Sequence, residues 1–138
     1  MNEKILIDAA LSARDLAYSP YSKFSVGAAL LTKSGKIYTG CNIESVSFSP
    51  TCCAERVAFF KAVSEGERDF EALAVVGGNS ECRSFGICAP CGVCRQVIAE
   101  FCGSDFPIIL AESDGSFKTY TLKELLPLSF GGQTGGTE

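Results

Sequence analysis

Two short stretches set a demand that few folds meet: TCCAER at residues 51–56 and PCGVCRQ at residues 90–96. Cys91 and Cys94 are three residues apart, so on a helix their side chains share one face of the first turn. Cys53 sits in the opening turn of another predicted helix, with Glu55 two positions on and Arg56 next to it. If the three sulfurs serve one metal, the starts of two helices distant in sequence must meet. Helix N-termini carry partial positive charge, which favours thiolate over thiol. Thiolate is the form that binds zinc. Three thiolates fill three tetrahedral positions and leave one for water, which is the pattern of a catalytic site. Zinc draws the pKa of such a water toward neutrality and gives a hydroxide nucleophile. Glu55 can reach that water without being a ligand and can shuttle its proton to a substrate. Three thiolates leave the cluster net negative, and Arg56 is placed to offset that charge by donating to a ligand sulfur.

Other uses of the same cysteines remain open on spacing alone. Cys91 and Cys94 could form half of a structural four-cysteine site completed by Cys52, Cys53, Cys82 or Cys88. They could also be a redox pair, although the preceding segment lacks a thioredoxin-like context. Eight cysteines could make four disulfides in a small secreted chain. Against that, the first residues, MNEKILIDAALSARDLAYSPYSKF, carry Glu3 and Asp8 and lack an apolar segment ending in a cleavage site. We read them as a structural helix and expect a cytoplasmic protein. Cys41, Cys52, Cys82, Cys88 and Cys102 receive no role and are expected to act as small apolar residues.

The length of 138 residues suits one domain, taken as 1–130, followed by a flexible glycine-rich tail, GGQTGGTE, over 131–138. Apolar residues make up 46 % and charged residues 20 %, the balance of a compact globular chain. A net charge of −4 with no basic run argues against nucleic acid as a partner. No apolar run is long enough to span a bilayer, so no membrane partner is expected.

Along the chain, Ile5, Leu6, Ala9, Ala13, Leu16 and Ala17 predict one face of an amphipathic helix over residues 3–17. FSVGAALLT and KIYTGCNIE read as strands joined at KSGK. FSPTCCAERVAFFKAVSEG reads as a buried helix with Ser49 as N-cap, Pro50 as the first helical residue and Gly66 at its end. ALAVVGG is a doubly buried strand, and residues 78–90 are loop-like. CGVCRQVIAEF is a third helix with Val93, Val97, Ile98 and Phe101 inward. FPIILAE and FKTYTL are two more strands flanking SDGS, and LKELLPL is a short helix. Five strands alternating with helices predict an α/β sandwich, a mixed sheet covered by helices on both faces.

A second constellation lies in GCNIES, residues 40–45. On a strand, Asn42 and Glu44 project to one side and Ile43 to the other. An amide and a carboxylate so placed can hold ribose hydroxyls, although two exposed polar residues at a strand end is the plainer reading. Phe24 opens the first strand and could pack on a flat ring, or simply join the core.

CAER and PCGVCRQ together resemble the zinc-deaminase signature in its three-cysteine form. YSPYSKFSVGAALLTKSGKIYTGCNIES resembles the N-terminal half of the small, homotetrameric cytidine deaminases, and the likeness runs from about residue 3 to residue 130. That resemblance implies a three-layer, cytidine deaminase-like fold. It implies one zinc per chain on Cys53, Cys91 and Cys94, and Glu55 as proton shuttle. Asn42 and Glu44 would bind ribose. Phe24 and Ala54 would line the pyrimidine pocket, and Phe130 in LLPLSF would reach a neighbouring subunit's site in a tetramer. The substrate would be a pyrimidine nucleoside, cytidine or deoxycytidine, hydrolysed to uridine or deoxyuridine and ammonia in pyrimidine salvage. A blasticidin-type deaminase, or a non-catalytic zinc-stabilised interaction domain, would be the alternatives. Phe48 stands where the family usually has tyrosine and Pro50 where it usually has another residue. The 78–90 loop is longer than usual for a bacterial member. These departures bear on the pocket mouth and subunit contacts, not on the zinc chemistry.

Overall fold

A computed structural model describes residues 1–131. The segment predicted as a flexible tail, 131–138, lies outside the described residues except for Gly131. Five strands form one mixed sheet: β1 (Phe24–Thr32), β2 (Ile37–Cys41), β3 (Phe70–Asn79), β4 (Pro107–Ala111) and β5 (Phe117–Thr121). Their spatial order is β2-β1-β3-β4-β5. Only the β3–β4 pair is parallel, and the other three neighbouring pairs are antiparallel. The parallel pair requires a crossover, which α3 (Gly92–Phe101) supplies. The mixed sheet is therefore as the sequence predicts.

Helix α1 (Glu3–Arg14) covers one face, where Leu6, Ile7 and Ala10 meet Ala29, Ala72, Ala74, Val76 and Ile109. Helices α2 (Ala54–Ser64) and α3 cover the other, where Ala58, Phe59, Ile98 and Ala99 meet Leu30, Leu73, Val75, Ile108 and Leu110. The central strands β1 and β3 are buried almost end to end, which explains their continuous apolar runs. The short helix α4 (Leu122–Leu125) closes the second core through Leu122 and starts at a capping box between Thr121 and Glu124.

Four expectations about these elements need correction. The buried stripe of α1 is Leu6, Ile7, Ala10 and Ala13, while Ile5 and Leu16 are exposed. The helix stops at Arg14, whose guanidinium donates to the carbonyls of Ser25, Gly78 and Asn79 and covers the Phe85 ring. Helix α2 begins at Ala54 with Cys53 as N-cap, not at Ser49 and Pro50. Residues 43 and 52 exchange two backbone hydrogen bonds, which hold Cys52 extended and delay the helix. On α3, Val93 is exposed, and Cys94 takes the inward position with Ile98 and Ala99.

Candidate active site

The two cysteine stretches meet at the ends of two helices. Cys53 is the N-cap of α2 and Cys91 the N-cap of α3, both extended, and neither has a side-chain cap bond. Each sulfur thus faces uncapped N–H groups at the positive end of a helix. Cys94 lies three residues into α3 and is buried. The approach to Cys91 is held by Arg95, which donates from Nε to the Pro90 carbonyl at 2.7 Å and from Nη1 to the Leu125 carbonyl at 2.5 Å. Glycine permits the close approach on the other side. A Cβ on Gly40 of β2 would lie 2.2 Å from the Ala54 carbonyl oxygen, so only glycine lets α2 sit this near the sheet.

The sulfurs of Cys53, Cys91 and Cys94 all lie within 4.8 Å of one another, and the first two are 3.8 Å apart. Sulfurs bound at about 2.3 Å to one tetrahedral ion stand about 3.8 Å from each other, so the donor set fits zinc. Chemistry agrees with spacing. The Cys53 thiol is drawn down to about 5, first by the hydrogen bond from Cys94, then by those from Arg56 and Cys91. Cys94 moves up because it donates to Cys53. Arg56 Nη2 stands 3.4 Å from the Cys53 sulfur, while its buried Nε has no partner. That guanidinium supplies the positive charge that a crowd of thiolates needs.

Glu55 is 4 % exposed. Burial pushes its carboxyl up to about 7, the Cys53 charge adds to the rise, and its own backbone N–H and Arg56 oppose it. A carboxyl poised there can both take and give a proton near neutral pH.

The nucleoside-side candidates are more widely spread. Strand β2 ends at Cys41, so Asn42 and Glu44 do not follow strand alternation. Asn42 is buried; its Oδ1 accepts from the Val26 N–H at 2.9 Å and its Nδ2 donates to the Phe24 carbonyl at 2.8 Å. The Glu44 carboxylate accepts from the backbone N–H groups of Tyr21 and Ser22 and from the Ser22 hydroxyl. Glu44 also lines a cavity of about 340 Å³ with Tyr21, Ser22, Phe48 and Thr51. Phe24 is partly exposed at the start of β1, and Ala54 is fully buried as the first residue of α2. Phe130 is 81 % exposed, and its carbonyl accepts from Gln96 Nε2 at 3.0 Å. Sequence reading overlooked Ser22, Arg95 and Gln96. An arginine and glutamine directly after Cys-x-x-C were the available signal for the last two.

Three cysteine sulfurs within 4.8 Å of one another, beside a buried, near-neutral carboxyl, define a site that can hold a metal and activate water there. The family described as the cytidine and deoxycytidylate deaminase zinc-binding region matches residues 1–110. A cytidine deaminase from Sporosarcina psychrophila is 52 % identical over 130 residues, which cover 94 % of this chain and 92 % of that protein. The crystal structure of cytidine deaminase from Burkholderia pseudomallei superposes with a TM-score of 0.86 at 43 % identity, covering 94 % of this chain and 100 % of that one. A blasticidin-S deaminase from Bacillus cereus is also similar, 36 % identical over 112 residues, 79 % of each chain. This chain belongs to the zinc-binding cytidine and deoxycytidylate deaminase family.

Among the described residues no helix is long and apolar enough to cross a membrane.

Proposed function

We propose that this chain hydrolyses cytidine and deoxycytidine to uridine and deoxyuridine with release of ammonia, using zinc held by Cys53, Cys91 and Cys94 and protons carried by Glu55. The chain is a zinc-dependent deaminase of cytidine-type nucleosides. The observation that carries the residue assignment is the 3.8 Å sulfur spacing next to a carboxyl whose pKa stands near 7.

Bound zinc supplies Lewis acidity, which draws the pKa of water toward neutrality. Glu55 accepts the proton that the attacking water gives up. It returns that proton to ring N3 as the C4–O bond forms. A second transfer through the same carboxyl moves the C4 hydroxyl proton to the exocyclic amine, so that C4=O forms as the C4–N bond breaks and ammonia leaves. Arg56 holds the Cys53 thiolate and limits the negative charge around the carboxyl. Ala54 and Phe24 border the base, and Asn42 and Glu44 receive the ribose hydroxyls.

Residues 1–130 act as one domain, and the working assembly is a homotetramer with shared sites. Exposed Val46, Phe48, Leu128 and Phe130 support this, because large apolar groups this accessible usually meet a partner. Phe130 then stacks on a base in a neighbour's site. Eight free cysteines support a reducing, cytoplasmic setting. The test is an ultraviolet assay on cytidine, with blasticidin S alongside, before and after chelation. Cytidine turnover that is lost with the metal and regained with zinc is expected. Turnover of blasticidin S in place of cytidine would reject the substrate assignment.

A further inference from the structure

Ser22 contacts Glu44 and Phe24, and through Phe24 is linked to Asn42, without itself being a proposed substrate contact. Its Oγ accepts from the Phe24 N–H at 3.0 Å and donates to Glu44 Oε2 at 2.5 Å. A hydroxyl has one hydrogen, so accepting from Phe24 leaves that hydrogen free to point at the carboxylate. The backbone N–H groups of Tyr21 and Ser22 both reach Glu44 Oε1 at 3.1 Å. Three donors from one turn thus converge on one carboxylate and fix both of its oxygens. On the other side of Phe24, Asn42 Nδ2 binds the Phe24 carbonyl. The start of β1 is therefore gripped between Ser22 and Asn42, and the two grips carry Glu44 and Asn42 with them.

The remaining bonding capacity is informative. An ionised carboxylate offers about four lone-pair sites, and the turn takes three. Asn42 has used one of its two Oδ1 lone pairs and one of its two amide hydrogens. What is left includes an acceptor on Glu44 and a donor on Asn42, a pair that a hydroxyl group satisfies at once. Which way the Glu44 acceptor faces is set by Oε2, and Oε2 is held by Ser22.

We infer that Ser22 is the positioning residue for ribose recognition: by holding Glu44 Oε2 it aims the carboxylate's free acceptor at a sugar hydroxyl, and so sets the preference for nucleosides that carry that hydroxyl. The inference rests on the proposed ribose role of Glu44. The same donors hold the Glu44 carboxyl below its ordinary range even though burial opposes them, so the acceptor stays ionised at neutral pH.

The experiment measures kcat/KM for cytidine and for 2′,3′-dideoxycytidine in the zinc-loaded enzyme, and reads their ratio. Glu44→Gln and Ser22→Ala are each expected to lower the ratio about tenfold, the worth of one hydrogen bond to a charged group. Ser22→Thr, which keeps the hydroxyl, should restore it to within about twofold, and Ser22→Ala placed on Glu44→Gln should add no further loss. If Ser22→Ala cannot be folded, Ser22→Cys keeps the size, weakens the donor and must lower the ratio instead. A ratio that falls in Glu44→Gln but holds in Ser22→Ala overturns the inference and leaves the ribose role of Glu44 standing. A ratio that holds in both removes that role and the inference with it. Equal loss on both substrates in Ser22→Ala would make the residue a fold support only, and that too would overturn it.

Discussion

Glu55 is a carboxyl buried beside a thiolate, and the folded protein prefers it protonated. In the metal-free protein that preference has a stability consequence. The folded pKa of about 7 lies above the ordinary 4.5, so between those values the folded state binds more protons than the unfolded one. Its contribution to stability must then fall as pH rises through that window and level off above it, opposite in sign to the contribution of Cys53, whose thiol is drawn down to about 5. Glu55→Gln cannot ionise and lacks this dependence. Denaturant unfolding of the two metal-free proteins should agree near pH 4.5 and diverge by about 3 kcal/mol in favour of the glutamine variant near pH 7. Identical pH profiles would mean that Glu55 is not held in the environment described. With zinc restored, the same variant should bind metal and nucleoside yet lose turnover by about 10⁴-fold or more, since both proposed proton transfers use one group. The chain has no histidine to replace it. Retention of a tenth of the activity, about 10³-fold too much, would assign the proton transfers elsewhere. The zinc side of this site was legible in the sequence because its physics is local: Cys-x-x-C on a helix start fixes two sulfurs, and Cys53-x-Glu55 does the same for a sulfur and a proton carrier. The ribose side was less so. Asn42 and Glu44 were identified, but alternation stops where β2 ends at Cys41, and their partners are a turn and a strand some twenty residues upstream, as the Ser22–Glu44 separation of 22 shows.

At the scale of elements, the helices owe their function to where they begin. The sequence announced all four and placed the bounds of α3 within a residue, but it misplaced the end of α1 and the start of α2 and ran α4 past its end. Ser49 and Pro50 carry good capping chemistry, yet the 43–52 bridge is a non-local bond that no cap preference encodes. The stripe on α1 was read about one position out of phase because Ile5 and Leu16 are apolar and yet exposed. Hydrophobic periodicity records every surface a helix covers, and a surface between subunits reads the same as one inside a chain. Position of α2 against the sheet depends on Gly40, whose added Cβ would also approach the Ala58 nitrogen to 2.6 Å. Both neighbours are backbone, so the helix itself must move. Gly40→Ala should cost about 1–3 kcal/mol or more in unfolding. It should also weaken zinc retention in a chelator competition, because the displaced end of α2 carries Cys53. A variant that loses stability but holds zinc as tightly as wild type would show that α3 alone fixes the metal.

For the molecule as a whole, the exposed apolar residues separate what one chain accomplishes from what the proposed assembly would add. One chain brings the three sulfurs and Glu55 together, and links Glu44 and Asn42 through Ser22 and Phe24. Phe130 is 81 % exposed, and its carbonyl accepts from Gln96. An aromatic ring in that position contributes nothing to its own core, and the proposed use is stacking on a base in a neighbouring subunit. Stacking of an aromatic on a base is worth about 1–3 kcal/mol, so Phe130→Ala should reduce kcat/KM roughly ten- to hundredfold while light scattering still reports a tetramer. Complementation then tells a shared site from a private one. A chain carrying Glu55→Gln retains Phe130 but has no proton carrier. A chain carrying Phe130→Ala retains Glu55 but has no ring to lend. Co-expressed under two affinity tags and purified through both, these chains form hybrid tetramers. Where Glu55 of one chain faces Phe130 of the other, a complete site is rebuilt, and the hybrid should exceed the summed activity of the two parent variants in the same proportions. Activity equal to that sum would mean that each Phe130 serves only its own chain. An active monomer would remove the residue from the site altogether.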